Sequence, residues 1–129
     1  MKINTFFLDT YALVEIAKGN KSYTKFFGGM NALNNLEVTT KLNLMELYYS
    51  LLRGYNEQIA EKHYSFYSRI CINIPDKVIM EAMKFKLKYK REKLSYVDCI
   101  GYVLSINSGF KFVTGDQKFK DFPNVVFIK

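Results

Sequence analysis

The chain has few of the residues from which zinc centres, disulfide scaffolds and covalent hydrolases are built. Its 1 histidine, His63, lies in Glu61-Lys62-His63-Tyr64 with no second histidine or cysteine at ligand spacing, which disfavours zinc and leaves a solvated surface residue as the expectation. The 2 cysteines, Cys71 and Cys99, sit far apart in apolar stretches with no CxxC spacing. Buried, reduced thiols are expected of them, as in a cytoplasmic protein. No GxGxxG or GxxxxGK[ST] loop is present to cradle a nucleotide, and no Gly-x-Ser-x-Gly elbow supports a hydrolytic serine. Tryptophan is absent, and the 2 prolines, at 75 and 123, fall where element boundaries are expected. No apolar run approaches membrane-spanning length, and the segment Ile3 to Leu8 is too short for a signal sequence, so no membrane association is expected. Repeats, low-complexity stretches and linkers are likewise missing.

What remains is rich in core-forming material. Hydrophobic residues make up 49% of the 129 positions and aromatics 16%, enough for one compact domain spanning residues 1–129 and too much for disorder. With 19 Lys and Arg against 12 Asp and Glu the formal charge is +7, a bias towards polyanionic partners.

Hydrophobic periodicity and punctuation divide the chain into alternating elements. A strand over Ile3 to Leu8 precedes a helix from Thr10 to Lys18 that stops at Gly19-Asn20. A short helix follows from Lys21 to Phe27, ahead of Gly28-Gly29, and then a short strand, Glu37 to Thr40. Helices are expected over Leu42 to Arg53, Asn56 or Glu57 to Ser68, Asp76 to about Arg91, and Ser95 to Asn107. Ile70 to Ile74, Lys111 to Thr114 and Val125 to Ile128 read as three further strands. Strands alternating with helices give an α/β fold whose parallel sheet is covered on both faces.

Four acidic residues stand out against this frame. Asp9 closes the first strand, Asp116 follows the run Phe110 to Gly115, and Glu46 and Asp98 interrupt otherwise apolar helices. Each has an ordinary structural explanation. Asp9 suits a helix N-cap, and Ser95 with Asp98 has the spacing of a capping box. Asp116 lies in the turn-like Thr114-Gly115-Asp116-Gln117, and Glu46 belongs to a narrow polar stripe with Asn43, Ser50 and Arg53. Taken together they allow another reading. Strand ends in an α/β fold meet at one edge of the sheet, where four carboxylates make a hard, oxygen-lined site for divalent cations. The dense basic segment Lys84, Lys86, Lys88, Lys90, Arg91 and Lys93 is either a solvated helix face or a grip on a phosphate backbone.

Phe7-Leu8-Asp9-Thr10 is similar to the first motif of haloacid-dehalogenase-type phosphatases, but the second Asp that chemistry needs is Tyr11 here. A longer resemblance covers nearly the whole chain. Phe7-Leu8-Asp9-Thr10-Tyr11-Ala12-Leu13, Asn43-Leu44-Met45-Glu46-Leu47, Leu94-Ser95-Tyr96-Val97-Asp98-Cys99-Ile100 and Phe112-Val113-Thr114-Gly115-Asp116-Gln117-Lys118-Phe119 resemble, in order and spacing, the four motifs of PIN-domain nucleases, and among them the small VapC-type toxins of toxin–antitoxin pairs. That resemblance implies a three-layer fold with a parallel five-stranded sheet. It also implies a metal-dependent endoribonuclease acting on single-stranded RNA as the toxin of a type II toxin–antitoxin pair. A nuclease of RNA maturation and a catalytically silent binding module are the alternatives. Asp9, Glu46, Asp98 and Asp116 are the implied catalytic and metal-ligating residues for Mg²⁺ or Mn²⁺, with Thr10 and Thr114 as supporting hydroxyls. RNA, a cognate antitoxin and a second copy of the chain are the implied partners. Lys118 departs from the pattern, because many relatives carry an acidic residue there, and Asp121 is the nearest substitute.

Overall fold

The computed structural model describes residues 4–27 and 35–129, so Ile3 and the expected break at Gly28-Gly29 lie outside the described residues. The elements run β1 (Asn4–Leu8), α1 (Thr10–Ala17), α2 (Lys21–Thr24), β2 (Asn35–Val38), α3 (Lys41–Gly54), α4 (Glu57–Ser68), α5 (Asp76–Lys88), α6 (Tyr96–Ser108), β3 (Lys111–Thr114) and β4 (Val125–Phe127). Two 3₁₀ turns, Lys90–Glu92 and Gln117–Phe119, sit before α6 and after β3. The helix stops follow the expected chemistry: Gly19 and Gly109 take the left-handed conformation, with φ of 79° and 74°.

The strands are all parallel, in the order β2-β1-β3-β4, and register pairs Phe7 with Val38 on one side and with Phe112 on the other. Alternation along the strands separates two cores. Phe7 and Phe112 point to one face and pack with Val78, Ala82, Ile100 and Tyr102 of α5 and α6. Leu8 and Val113 point to the other and pack with Leu13, Tyr23, Leu44, Leu47 and Tyr67 of α1 to α4. The three-layer α/β architecture is therefore the expected one, with one difference in strand count.

Among the described residues the sheet has four strands, where five were expected. The segment expected as the fifth, Ile70 to Ile74, makes a single parallel bridge, Cys71 opposite Thr39, closed by Thr39 N–H to Ile70 O at 3.1 Å and Ile72 N–H to Thr39 O at 2.9 Å. The ladder stops there because its partner turns away. Thr40 caps α3 through its side chain, so the backbone beyond Thr39 is committed to a helix and offers Ile70 to Ile74 no further edge. Ile72 and Ile74 still bury against the α5–α6 core, which is the apolar signal the sequence carried.

Candidate active site

The strand order reverses between β1 and β3, and in a parallel α/β sheet the crevice outside the carboxyl ends of such strands is the natural place for a site. Asp9 and Asp116 follow those two strand ends. Asp9 is buried, its N–H bonded to Val113 O at 3.2 Å and its carboxylate accepting the Ala12 N–H at 2.8 Å, so it is indeed the N-cap of α1. Burial pushes its carboxyl well above the usual carboxylate range; a hydrogen bond from the Thr114 hydroxyl and the Ala12 N–H oppose this, and the charges of Asp98 and Asp116 add to it. Thr114 also accepts the Asp116 N–H at 3.0 Å, so one hydroxyl ties the two strand-end aspartates together.

Asp98 lies in the first turn of α6. Its N–H donates to Ser95 Oγ at 3.1 Å, as the capping-box spacing predicts. Its carboxyl is raised from 3.8 to about 6, chiefly by burial. The Ser95 hydroxyl and the Lys118 charge lower it, while Glu46 and Asp116 raise it. Glu46 reaches the cluster from α3 and accepts the Thr10 hydroxyl at 2.6 Å. Asp116 caps the following 3₁₀ turn by accepting the Lys118 N–H at 3.0 Å. The structural roles read from sequence for Asp9, Asp98 and Asp116 are thus observed, and they coexist with convergence. Electrostatic coupling links Asp9 to Asp98 and Asp116, and Asp98 to Glu46 and Asp116.

Two residues of the site's scaffold were not singled out from sequence. Asn43, buried one turn before Glu46, donates to Thr10 Oγ1 at 3.1 Å and accepts the Thr40 hydroxyl at 2.7 Å. The chain Thr40–Asn43–Thr10–Glu46 fixes Thr10 so that its proton goes to the glutamate. The available signal was Asn43's place on the polar stripe of an otherwise apolar helix. Gly115 is the second. A Cβ there would meet the Tyr11 ring at 2.1 Å and Ile128 O at 2.6 Å, so the turn that delivers Asp116 has room only for glycine.

Other expectations fare differently. His63 is half-buried on α4, at a surface pocket that it lines with Phe27, Phe66 and Tyr67. Cys99 is buried and Cys71 half-buried, both as free thiols. In the basic segment, Lys86 is drawn out of the solvated face: its ammonium donates to Leu94 O and lies 4.7 Å from the centre of the Tyr96 ring. Among the described residues no helix is long and apolar enough to cross a membrane.

Four carboxylates, one of them the buried Asp9, are hard oxygen donors that suit a cation such as Mg²⁺ or Mn²⁺ in chemistry. Among the described residues no three His, Cys, Asp or Glu side chains already stand in a chelating arrangement.

Fold, motif order and this cluster define a class. The chain belongs to the PIN-domain family, whose model matches residues 6–125. It is similar in structure to VapC20 of Mycobacterium tuberculosis, a toxin that cleaves the sarcin-ricin loop, with a TM-score of 0.74 and 13% identity over 93% of this chain and 98% of that one. A toxin–antitoxin complex from Klebsiella pneumoniae matches with a TM-score of 0.70 and 19% identity over 93% and 94% of the two chains. VapBC2 of Rickettsia felis, bound to a DNA fragment from its promoter, gives 0.70 and 19% over 96% and 97%. No curated protein matches the chain in sequence.

Proposed function

We propose that the protein is a divalent-metal-dependent endoribonuclease that cleaves single-stranded RNA in the cytoplasm, and that it is the toxin of a type II toxin–antitoxin pair. The observation that carries this reading is the convergence of Asp9, Glu46, Asp98 and Asp116 from four separate elements on a PIN-domain fold. Asp9 and Asp98 are the innermost pair, with Glu46 and Asp116 as the outer ligands. Bound Mg²⁺ or Mn²⁺ would supply an activated water for attack at phosphorus and neutralise charge on the phosphodiester. Thr114 holds the Asp9 carboxylate, and Thr10, oriented by Asn43, holds that of Glu46. The excess of 19 basic over 12 acidic residues favours a polyanion at the rim, while the carboxylates repel it until a cation reverses the local sign.

The toxin assignment draws on the toxin–antitoxin complexes that the fold matches, and on exposed apolar side chains that a partner would cover. Met45, Tyr49 and Leu52 form one exposed stripe on α3 flanking Glu46, suited to an antitoxin segment, and Ile79, Met80 and Leu87 on α5 suit a second copy of the chain. Purified protein is expected to cut single-stranded RNA with Mn²⁺ or Mg²⁺, to stop with EDTA, and to lose cleavage in Asp9→Asn while remaining folded. Cleavage that persists in EDTA and in Asp9→Asn sinks the metal mechanism. Expression alone is expected to arrest growth, with relief from the product of the adjacent open reading frame; harmless expression of active protein would instead favour a role in RNA maturation.

A further inference from the structure

Beside the acidic cluster the surface opens into a cavity of about 330 Å³ lined by Tyr89, Glu92, Gln117, Lys118, Asp121 and Phe122. That volume lies at the lower end of the ~300–1,000 Å³ typical of small-ligand sites. Its apolar walls are two rings, Tyr89 and Phe122, packed edge to face at 5.1 Å and backed by Phe85 at 4.8 and 5.7 Å. Its rim is polar and exposed: two carboxylates that only accept, Glu92 and Asp121, and the Gln117 amide, which does both.

Lys118 is the wall shared with the acidic cluster. Its backbone N–H bonds Asp116, and its ammonium crosses to the turn before α6 and donates to Lys93 O at 3.3 Å. Lys93 presents that carbonyl from a left-handed conformation, φ 55°, and the ammonium keeps two further protons to offer. The cavity therefore has a cationic edge towards the carboxylates, aromatic walls and an acceptor-rich mouth.

This combination discriminates between ligands. A phosphate inside would face two carboxylates against one ammonium, and a purely apolar ligand would leave the rim groups without partners. A flat heterocycle bearing an amino group satisfies the rings and the carboxylates at once, and its phosphate has Lys118 at the edge. We propose that the cavity is a nucleobase subsite for an unpaired, amino-bearing RNA base, cytosine, adenine or guanine in preference to uracil, with Lys118 holding that nucleotide's phosphate at the border of the acidic cluster. Uracil is disfavoured because its one Watson–Crick donor lies between two carbonyls that the carboxylates repel. Stacking unpaired bases on aromatic rings and reading their edges with polar side chains is the general mode of single-strand RNA recognition. The inference deepens the ribonuclease reading and rests on it for its role in cleavage.

The test is a titration of metal-free, ¹⁵N-labelled protein in EDTA with CMP, cytidine and UMP, followed by amide shifts. CMP is expected to move Glu92, Lys118 and Asp121 and to bind roughly tenfold tighter than UMP, the discrimination of about one charge-assisted hydrogen bond. Glu92→Gln combined with Asp121→Asn should erase that preference. Lys118→Gln should reduce CMP to the affinity of cytidine, and Lys118→Arg should restore it; melting curves of these surface variants confirm folding. Shifts that bypass these residues, equal binding of UMP, or a Lys118→Gln variant that still distinguishes CMP from cytidine would overturn the proposal. Cleavage mapping on random-sequence RNA with Mn²⁺ separates the two readings. RNA cleavage without the CMP response removes the subsite alone, whereas the CMP response without any cleavage removes the ribonuclease and leaves a nucleotide site.

Discussion

At the scale of single residues, Asp98 carries two opposed duties. Its N–H completes the cap of α6, while its carboxylate sits among Glu46, Asp116 and buried surroundings that favour the protonated form. Because the folded-state value, about 6, lies above the ordinary 3.8, its favourable contribution to stability is fully present below pH 3.8 and is lost as the pH rises through about 6. The metal-free protein should therefore melt at a lower temperature at pH 7.5 than near pH 5. Asp98→Asn should flatten that slope and gain on the order of 2 kcal/mol at pH 7.5, several degrees in Tm, while losing most of the Mn²⁺-induced rise seen in wild type. Thermal melts in EDTA and in Mn²⁺ across that range decide the matter; a destabilised Asp98→Asn with no metal effect in wild type would leave Asp98 a cap and nothing more.

At the scale of elements, the launch of α6 joins Asp98 to two lysines from other parts of the chain. The 3₁₀ turn Lys90–Glu92 ends in the left-handed Lys93, whose carbonyl takes the Lys118 ammonium, and the next carbonyl, Leu94 O, takes that of Lys86. Ser95 then caps the helix and also lowers the Asp98 carboxyl through its hydroxyl. Ser95→Ala should cost about 1 kcal/mol in urea denaturation, the usual loss of a serine cap, and should move the stability slope attributed to Asp98 to higher pH. A neutral substitution with an unchanged slope would show that the cap contributes neither. Element boundaries elsewhere follow the same local logic: α3 starts one residue earlier than expected, at Lys41, because Thr40 caps it, and it runs one residue further, to Gly54.

At the scale of the whole molecule, the position of Asp98 relative to Asp9 depends on how closely α6 approaches the sheet. Gly101, one turn beyond Asp98, allows that approach: a Cβ there would stand 2.7 and 2.9 Å from the Phe7 ring, two residues before Asp9, and 3.4 Å from Phe112. Overpacking at such a contact costs roughly 1–3 kcal/mol, against about 1 kcal/mol that alanine returns as a better helix former. Gly101→Ala should therefore lower the melting temperature and weaken Mn²⁺ binding together, as α6 is displaced from β1. Calorimetry on the variant tests the link, since a higher melting temperature with unaltered Mn²⁺ affinity would show that the ring yields and α6 stays in place.

The sequence by itself determined what depends on near neighbours. Apolar periodicity marked the strands and helices, Gly19 and Gly109 marked helix ends, and capping chemistry placed Asp9 and Ser95 at helix starts, so the α/β class and the four acidic positions were legible. Only the tertiary structure decided what depends on distant segments meeting. The expected fifth strand shrank to the Thr39–Cys71 bridge because pairing needs a partner that stays extended. Asn43 became the orienter of Thr10, and Lys118 the wall between the acidic cluster and the cavity, through contacts spanning 33 and 25 residues of chain. Local spacing encodes periodicity and caps, but desolvation, charge coupling and a shared cavity arise only once the folded sheet excludes water and brings those side chains together.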